Sequence, residues 1–543
     1  MNSMLRKTLI GVAVITLSLL SFFSALATAQ TDHDINRLFD WAEGKYPQFF
    51  GSQQTLLKAG IWSYRYYPQQ NTYVGVNNNR EVFVLGNVFG GMRYVGVFDD
   101  FIKLVGVEPA TYIVGGVGAD YATLQALFDA RDLGPGDIVD VRGGIIYAGD
   151  IVMPAEDGGA PGNPVLLRGV GETRPHLRGG TNTIEFRLSN HVVMERFEIS
   201  GTEVPVNTFR CVFHHAHDIV LRDVYIHDCP RHGVLGSDRD SGSLTIEYSE
   251  ISNAGSGGTR HAIYMATDEV AFPGAVFRLQ YSYVHDSDFT DGAGLGGNLI
   301  KSRAERNEIY YNWLEGAYYH ELELISPDPE GASSGWTDSR VREDADVVGN
   351  VIVHTSTAFG SILRFGGDDS GGGQGSKGRY RFLNNTVVRI GTDDTPTVFR
   401  LFSGIESLDA HNNVFWREGS EGLRVIREVE ALWSTGVSRI NGSNNWIDSG
   451  STFIPGGFSA SVAGSDPGFA NAAGFDFRPA PGSPLLGRAN MLPQAPAGYE
   501  IPGPLFPPNR HPPRRAAVMP GTELSRPLDT ALDIGAFELE DGK

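Results

Sequence analysis

A chain of 543 residues with a formal net charge of −20 offers no broad basic surface, which excludes nucleic acid as its partner. A polyanionic ligand would have to be met by a local basic patch or by bound cations. With 68 Gly, 30 Phe and 20 Tyr against 44 Lys and Arg the composition is turn-rich and β-leaning, and two cysteines in so long a chain exclude a disulfide scaffold.

Residues 1–29 read as a secretory signal: Arg6 and Lys7 open it, Leu9 to Leu26 is apolar, and Ala27-Thr28-Ala29 is a small-residue exit. Left uncleaved, that run would anchor the chain in a membrane. No second run of about 18 apolar residues follows, so the rest is expected to be soluble, and secreted, periplasmic or on the cell surface. Nothing calls for a partner chain, and a monomer is expected. Residues 32–105 read as a small α+β module. Ile35, Leu38, Phe39 and Ala42 fall on one side of a helix, and Trp62–Tyr67, Thr72–Val76 and Val82–Leu85 are short strands between polar turns. This pattern resembles helix-plus-hairpin modules of secreted bacterial proteins, which implies no activity. Tyr66 and Tyr73 would either stack on sugar rings or form the core of the module.

From about Thr111 the register changes. An amphipathic helix over Tyr121–Phe128 is followed by the turn Gly134-Pro135-Gly136-Asp137, a strand over Ile138–Val141 and another over Pro164–Gly169. A unit then recurs, with copies starting at 194, 221, 246, 279 and 304 and further copies at Val348–Ile352, Phe382–Val388 and Ala410–Phe415. Repeats of 25 to 35 residues with variable insertions are those of a solenoid, in which coils stack and length changes go into loops. Asn or Ser ahead of the apolar pair of each copy predicts a stacked polar ladder at a turn. β-Propellers need longer blades and hairpin turns that are missing here. Asp466-Pro467-Gly468-Phe469, Asp476-Phe477-Arg478-Pro479 and Asp533-Ile534-Gly535-Ala536-Phe537-Glu538 close the chain. The entrance, the repeats and this ending resemble secreted bacterial right-handed parallel β-helix proteins of the pectate-lyase-like superfamily. The expected fold is therefore all-β: a right-handed parallel β-helix over 111–490 after the small α+β module. A Pro-rich segment over 491–543, extended from Pro502 to Pro513, is expected on the last coils. Cys211 and Cys229 are either a disulfide, which export permits, or two small buried residues.

Three segments superimpose without gaps: Arg231–Leu235, Arg260–Tyr264 and Gly297–Lys301. As successive rungs they stack His232, His261 and Asn298 in one column and Leu235, Tyr264 and Lys301 in an outward one. Alternation in Ile300–Ala304 turns Ile300, Ser302 and Ala304 inward and Lys301 and Arg303 outward. The next strand, His320–Ile325, would add Glu321 and Glu323 outward. β-Elimination from a uronic acid needs a base for the C5 proton, stabilisation of the enolate-like charge and an acid for the leaving oxygen. A lysine near an arginine suits the base, because a neighbouring cation and partial burial favour its neutral form.

Lys301-Ser302 within such a strand resembles the catalytic lysine segment of β-helix alginate and chondroitin lyases. The resemblance implies Lys301 as base, with Tyr264 or His261 as acid, and calcium on the substrate carboxylate. It also implies an assisting arginine one coil later, where this chain has Glu321 and Glu323, leaving Arg303 or Arg364 for that part. Asn298, Glu321, Glu323 and Arg364 would line the polysaccharide. The competing readings are a Lys301–Glu323 cross-strand salt bridge and a purely structural His232–His261 ladder. His214, His215 and His217 fit no zinc spacing, and Asp368–Gly373 is a calcium loop or a flexible one. Two alternatives stand beside the lyase. One is a hydrolase built on Glu321, Glu323, Asp288 or Asp291, and the other is a non-catalytic glycan-binding rod.

Overall fold

The computed structural model describes Ile35, Asn36, Phe39, Glu43 and residues 54–98 and 109–539, apart from 69–70, 87–90, 289–295, 327–342, 356–359, 368–375, 392–395, 403, 420, 429–438 and 529–530. The expected signal, Leu38, Ala42, Asp291 and the Asp368–Gly373 run lie outside these residues. No helix among the described residues is long and apolar enough to cross a membrane.

Near the N-terminus five antiparallel strands pair in chain order: Leu57–Ala59, Trp62–Tyr67, Thr72–Asn77, Glu81–Gly86 and Gly91–Val97. The middle three are those read from alternation. The outer two escaped it, one because it is three residues long and the other because glycines interrupt its pattern. Ile35 and Phe39 bury against Val76, Val82 and Phe98. Tyr66 and Tyr73 are ring neighbours at 4.5 Å but do not belong to that core, and Tyr73 stays exposed.

The larger unit is a right-handed parallel β-helix. A complete coil gives one strand to each of three parallel sheets, as in Leu244–Glu247, Glu250–Ala254 and Ile263–Ala266. We call these the first, second and third sheets. On the third, Ile184, Val212, Val234, Ile263, Ile300, Leu322, Leu363, Phe399 and Ile426 pair in consecutive register, all buried. Stacking like on like every coil, about 4.8 Å apart, is what holds a solenoid together. The helix expected over 121–128 is the single turn Leu124–Phe128. It buries Leu124 and Leu127, and Thr123 Oγ accepts the Ala126 N–H at 3.1 Å.

Each sequence repeat spans two strands rather than one. The residue between them is left-handed: Tyr248, Tyr281, Tyr311, Gly349, Asn384, Asn412 and Asn444 have φ of 54°, 53°, 56°, 71°, 51°, 60° and 56°. Gly and Asn tolerate that conformation best, which explains the Gly-Asn and Asn-Asn pairs. The first residue of each pair makes the turn and the second is a rung of the predicted ladder. Ser249, Ser282, Asn312, Asn350, Asn385, Asn413 and Asn445 each have their backbone N–H accepted by the next rung's side-chain oxygen, ending on Ser461. Cys211 and Cys229 form a disulfide.

The segment after 490 does start on the last coils, where Asn412 Nδ2 donates to Asn490 O at 3.0 Å, but it does not stay there. It runs back down the stack, Leu505 and Phe506 packing on Tyr310 and Tyr311, Arg515 reaching Glu315 at 2.8 Å and Glu523 meeting Tyr248. The closing signature then returns, with Gly535 N donating to Asn412 O and Ala536 N to Thr386 Oγ1.

Burial pushes Glu343 up to about 8 and Glu269, Asp409 and Glu538 up to about 7. Burial opposes the charge of His285 too, yet its hydrogen bonds to Asp286 and Glu250 prevail and lift it to about 9. All five groups hold protons in the fold that the unfolded chain releases sooner, so their contribution is lost as pH rises. Buried His214, His232, His320, His411 and His511, held at about 3 to 4, act oppositely and only below their ordinary value of 6.5. The melting temperature of the β-helix is therefore expected to fall steadily from pH 6.5 to 9 in scanning calorimetry. A flat profile over that window would contradict this assignment.

Candidate active site

The outward column read from the sequence exists and is longer than expected. Leu235, Tyr264, Lys301, Glu323, Arg364, Arg400 and Arg427 are register partners on seven successive coils of the third sheet. Lys301 Nζ lies 3.9 Å from Glu323 Oε2 and 5.4 Å from the centroid of the Tyr264 ring, its side chain 16% exposed. Glu323 is buried and triply engaged: Asn298 Nδ2 donates to Oε2, Arg364 Nη1 donates to Oε1, and Lys301 is the third partner and the second cation. Arg364 in turn lies over the Phe402 ring at 4.1 Å. Five side chains of this column, at 301, 323, 364, 400 and 427, thus carry four cations and one carboxylate.

Two expectations about direction need correction. Arg303 does not stand out beside Lys301. It is the last residue of strand Ile300–Arg303, and its side chain is buried, Nε donating to Tyr264 OH at 3.0 Å and Nη1 to Ser326 O at 2.7 Å. Glu321 is not on the outer face at all. The strand begins one residue later, at Leu322, so Glu321 sits in the preceding bend, fully buried, its carboxylate 2.8 Å from His354 Nδ1. Burial raises its pKa, with the His354 contact opposing. It lies out of reach of a polysaccharide on the outer face.

The histidine column forms a backbone ladder. His232 Nδ1 accepts the His261 N–H at 3.3 Å, His261 Nδ1 accepts Asn298 N–H at 3.0 Å, and Asn298 Oδ1 accepts His320 N–H at 3.2 Å. Burial, then the charge of Lys301, drives the His261 pKa well below its ordinary value. His261 is therefore a neutral imidazole, poorly suited to donating a proton from a charged form. His214, His215 and His217 diverge: His214 Nε2 meets Gly242 O, His215 packs on Phe213 and His217 stacks on Phe272.

Among solved structures the chain resembles an alginate lyase from Paenibacillus sp. str. FPU-7, at 17% identity over 58% of this chain and 96% of that one, with a TM-score of 0.37. It also resembles a rhamnogalacturonan lyase, at 12% over 67% and 92%, TM-score 0.31. The GH136 lacto-N-biosidase from Eubacterium ramulus matches at 12% over 64% and 70%, TM-score 0.30. No protein-family model and no curated protein matches the chain. The roles of the column residues rest on the geometry of this chain.

Sequence reading missed part of the basic surface. Arg400 and Arg427 continue the outward column beyond Arg364. At the other end Arg210, Arg260 and Arg231 lie close enough to His232 to add to burial in holding it at about 3. The signal is present in the sequence as Arg-His at 231–232 and 260–261, in the very rungs that superimpose.

Calcium does not fit this column. Its one carboxylate, Glu323, already bonds Asn298, Arg364 and Lys301, whereas calcium takes six to eight oxygen ligands.

Proposed function

We propose that this protein cleaves a uronate-containing polysaccharide by β-elimination on the outer face of the third sheet. The observation that carries the reading is the Tyr264–Lys301–Glu323–Arg364 column with Arg303 clamped on the tyrosine. Arg364, Arg400 and Arg427 supply cations along the stack, where a polyanionic strand would bind despite the acidic whole. Lys301 takes the C5 proton, and Arg364 balances the charge that builds on the uronate carboxylate as the enolate forms. Glu323, pinned by Asn298, fixes Lys301 and Arg364 on either side of itself. Arg303 donates to the phenol oxygen of Tyr264, which leaves the phenol proton for the departing glycosidic oxygen and stabilises the phenolate that remains. The hydrolase alternative is less well supported, since Glu321 faces His354 and builds no pair with Glu323.

The test is ultraviolet absorbance of the new C4–C5 double bond on alginate, pectate, glucuronan and glycosaminoglycans. A rise on at least one uronate polymer, at equal rates with and without added calcium, is expected. Chain scission without that chromophore would point to hydrolysis. No scission of any polymer would leave a glycan-binding rod.

A further inference from the structure

The outer face of the second sheet carries a different constellation. His176, Glu198 and His227 come from strands His176–Arg178, Glu198–Ser200 and Tyr225–Cys229 on three consecutive coils. His176 Nδ1 lies 3.3 Å and His227 Nε2 3.2 Å from the same oxygen, Glu198 Oε1, and the donor atoms of all three fall within 4.8 Å of one another. The far nitrogens are both engaged. His176 Nε2 is 2.7 Å from Ser200 Oγ, and His227 Nδ1 is 2.9 Å from Asp228 Oδ2, whose other oxygen accepts from Asn253 Nδ2. With those far nitrogens protonated, the near ones present lone pairs, so two lone pairs and a carboxylate converge on one point. Such a cluster is stable around a cation.

We infer that His176, Glu198 and His227 bind a divalent transition-metal ion, with zinc as its probe. Two imidazoles and one carboxylate suit zinc and its neighbours, and disfavour calcium and magnesium, which prefer all-oxygen sets. Ligands about 2.1 Å from a tetrahedral zinc stand about 3.4 Å apart, close to the two separations given above. Asp228 accepts from the far nitrogen of His227, the contact by which carboxylates orient metal-bound imidazoles. All three side chains are partly exposed, so an ion can enter from solvent and a water can complete the sphere.

The same face holds an internal control. Two coils further along, Glu250, His285 and Asp286 repeat the Glu-His-Asp arrangement, with His285 Nε2 3.3 Å from Glu250 and Nδ1 2.7 Å from Asp286. There the register partner of the glutamate is Tyr225, not a second histidine. A single imidazole between two carboxylates closes on itself as an ion pair. His176 is what turns the first copy into a three-ligand site.

Zinc titrated calorimetrically into the chelator-stripped full chain should bind one ion per chain at micromolar or tighter affinity and raise the melting temperature. His176→Gln should lower that affinity about 100-fold or more and Asp228→Asn about 10-fold or more, whereas His285→Gln should leave it unchanged. Cobalt bound to the unmutated protein should show the intense visible bands of a four-coordinate site, a readout independent of any variant's folding. Zinc uptake well below one per chain, the weak spectrum of aqueous cobalt, or uptake equal in folded His176→Gln and the parent would each overturn the assignment.

Discussion

Lys301→Met is expected to lower kcat/KM on the cleaved polymer by about 10³-fold while hardly moving the melting temperature. The two halves of that result separate the base from the salt bridge. Glu323 keeps its bonds from Asn298 and Arg364 when Lys301 goes, so the buried carboxylate is not stranded and the fold loses one long, 3.9 Å ion pair. The pair is mostly buried, but it is long and Glu323 keeps two other hydrogen-bond partners, so its loss is expected to cost about 1 kcal/mol. A structural lysine would therefore cost little in either measurement, whereas a base would cost most of the turnover. Lys301→Arg sharpens the comparison. It keeps a cation for the polyanion but holds its proton at every working pH, so KM should stay near the parent's and kcat should fall with the Met variant's. Arg364→Ala should show the reverse bias, raising KM as well, because it removes substrate charge balance and leaves Glu323 with fewer partners. Wild-type turnover in Lys301→Met would return Lys301 to the salt bridge and end the lyase reading.

Periodicity made the stack legible. The gapless superposition of Arg231–Leu235, Arg260–Tyr264 and Gly297–Lys301 is reproduced as paired strands, because in a solenoid a repeat in sequence is a repeat in space. What alternation did not reveal is where a strand stops. Glu321 and Arg303 both lie at strand ends, where the two-residue period lapses and the side chain goes wherever a partner is found: His354 for one, Tyr264 and Ser326 for the other. Partners contributed from far along the chain were equally hidden. Nothing local in Tyr248 or Glu315 announces that Glu523 and Arg515 will meet them. The second-sheet cluster escaped for a related reason, since its ligands sit at different positions along three separate strands. Single-motif spacing finds metal ligands when they share one loop or helix, not when stacking brings them together.

The asparagine ladder makes the strongest claim on stability. Asn385→Ala is expected to destabilise the β-helix by about 3–5 kcal/mol, against less than about 1 kcal/mol for Ser461→Ala. Asn385 is fully buried and bonds in three directions. Its Nδ2 donates to Val347 O at 2.9 Å and Asn413 Oδ1 at 3.2 Å, and its Oδ1 accepts both the backbone and side-chain N–H of Asn350, each at 2.9 Å. Alanine would leave the Asn350 N–H inside the stack without its acceptor and take the amide donor from Val347 O, while Asn350 Nδ2 keeps Ile309 O and Asn413 Oδ1 keeps the Asn385 N–H. Each buried orphan costs about 1–3 kcal/mol before any relaxation. Ser461 ends the ladder near the surface, where water can accept the Asn445 N–H in place of its hydroxyl. Position along the stack matters as well as chemistry. A solenoid is held by nearest-neighbour interfaces, so a defect at 385 weakens both the coil below and the coil above, whereas a defect at the last rung weakens one. Urea unfolding followed by circular dichroism should show the Asn385→Ala midpoint well below the parent's, with the transition broadened as the two halves of the array come apart separately. Equal midpoints for the two variants would mean that the ladder records the stacking rather than stabilising it.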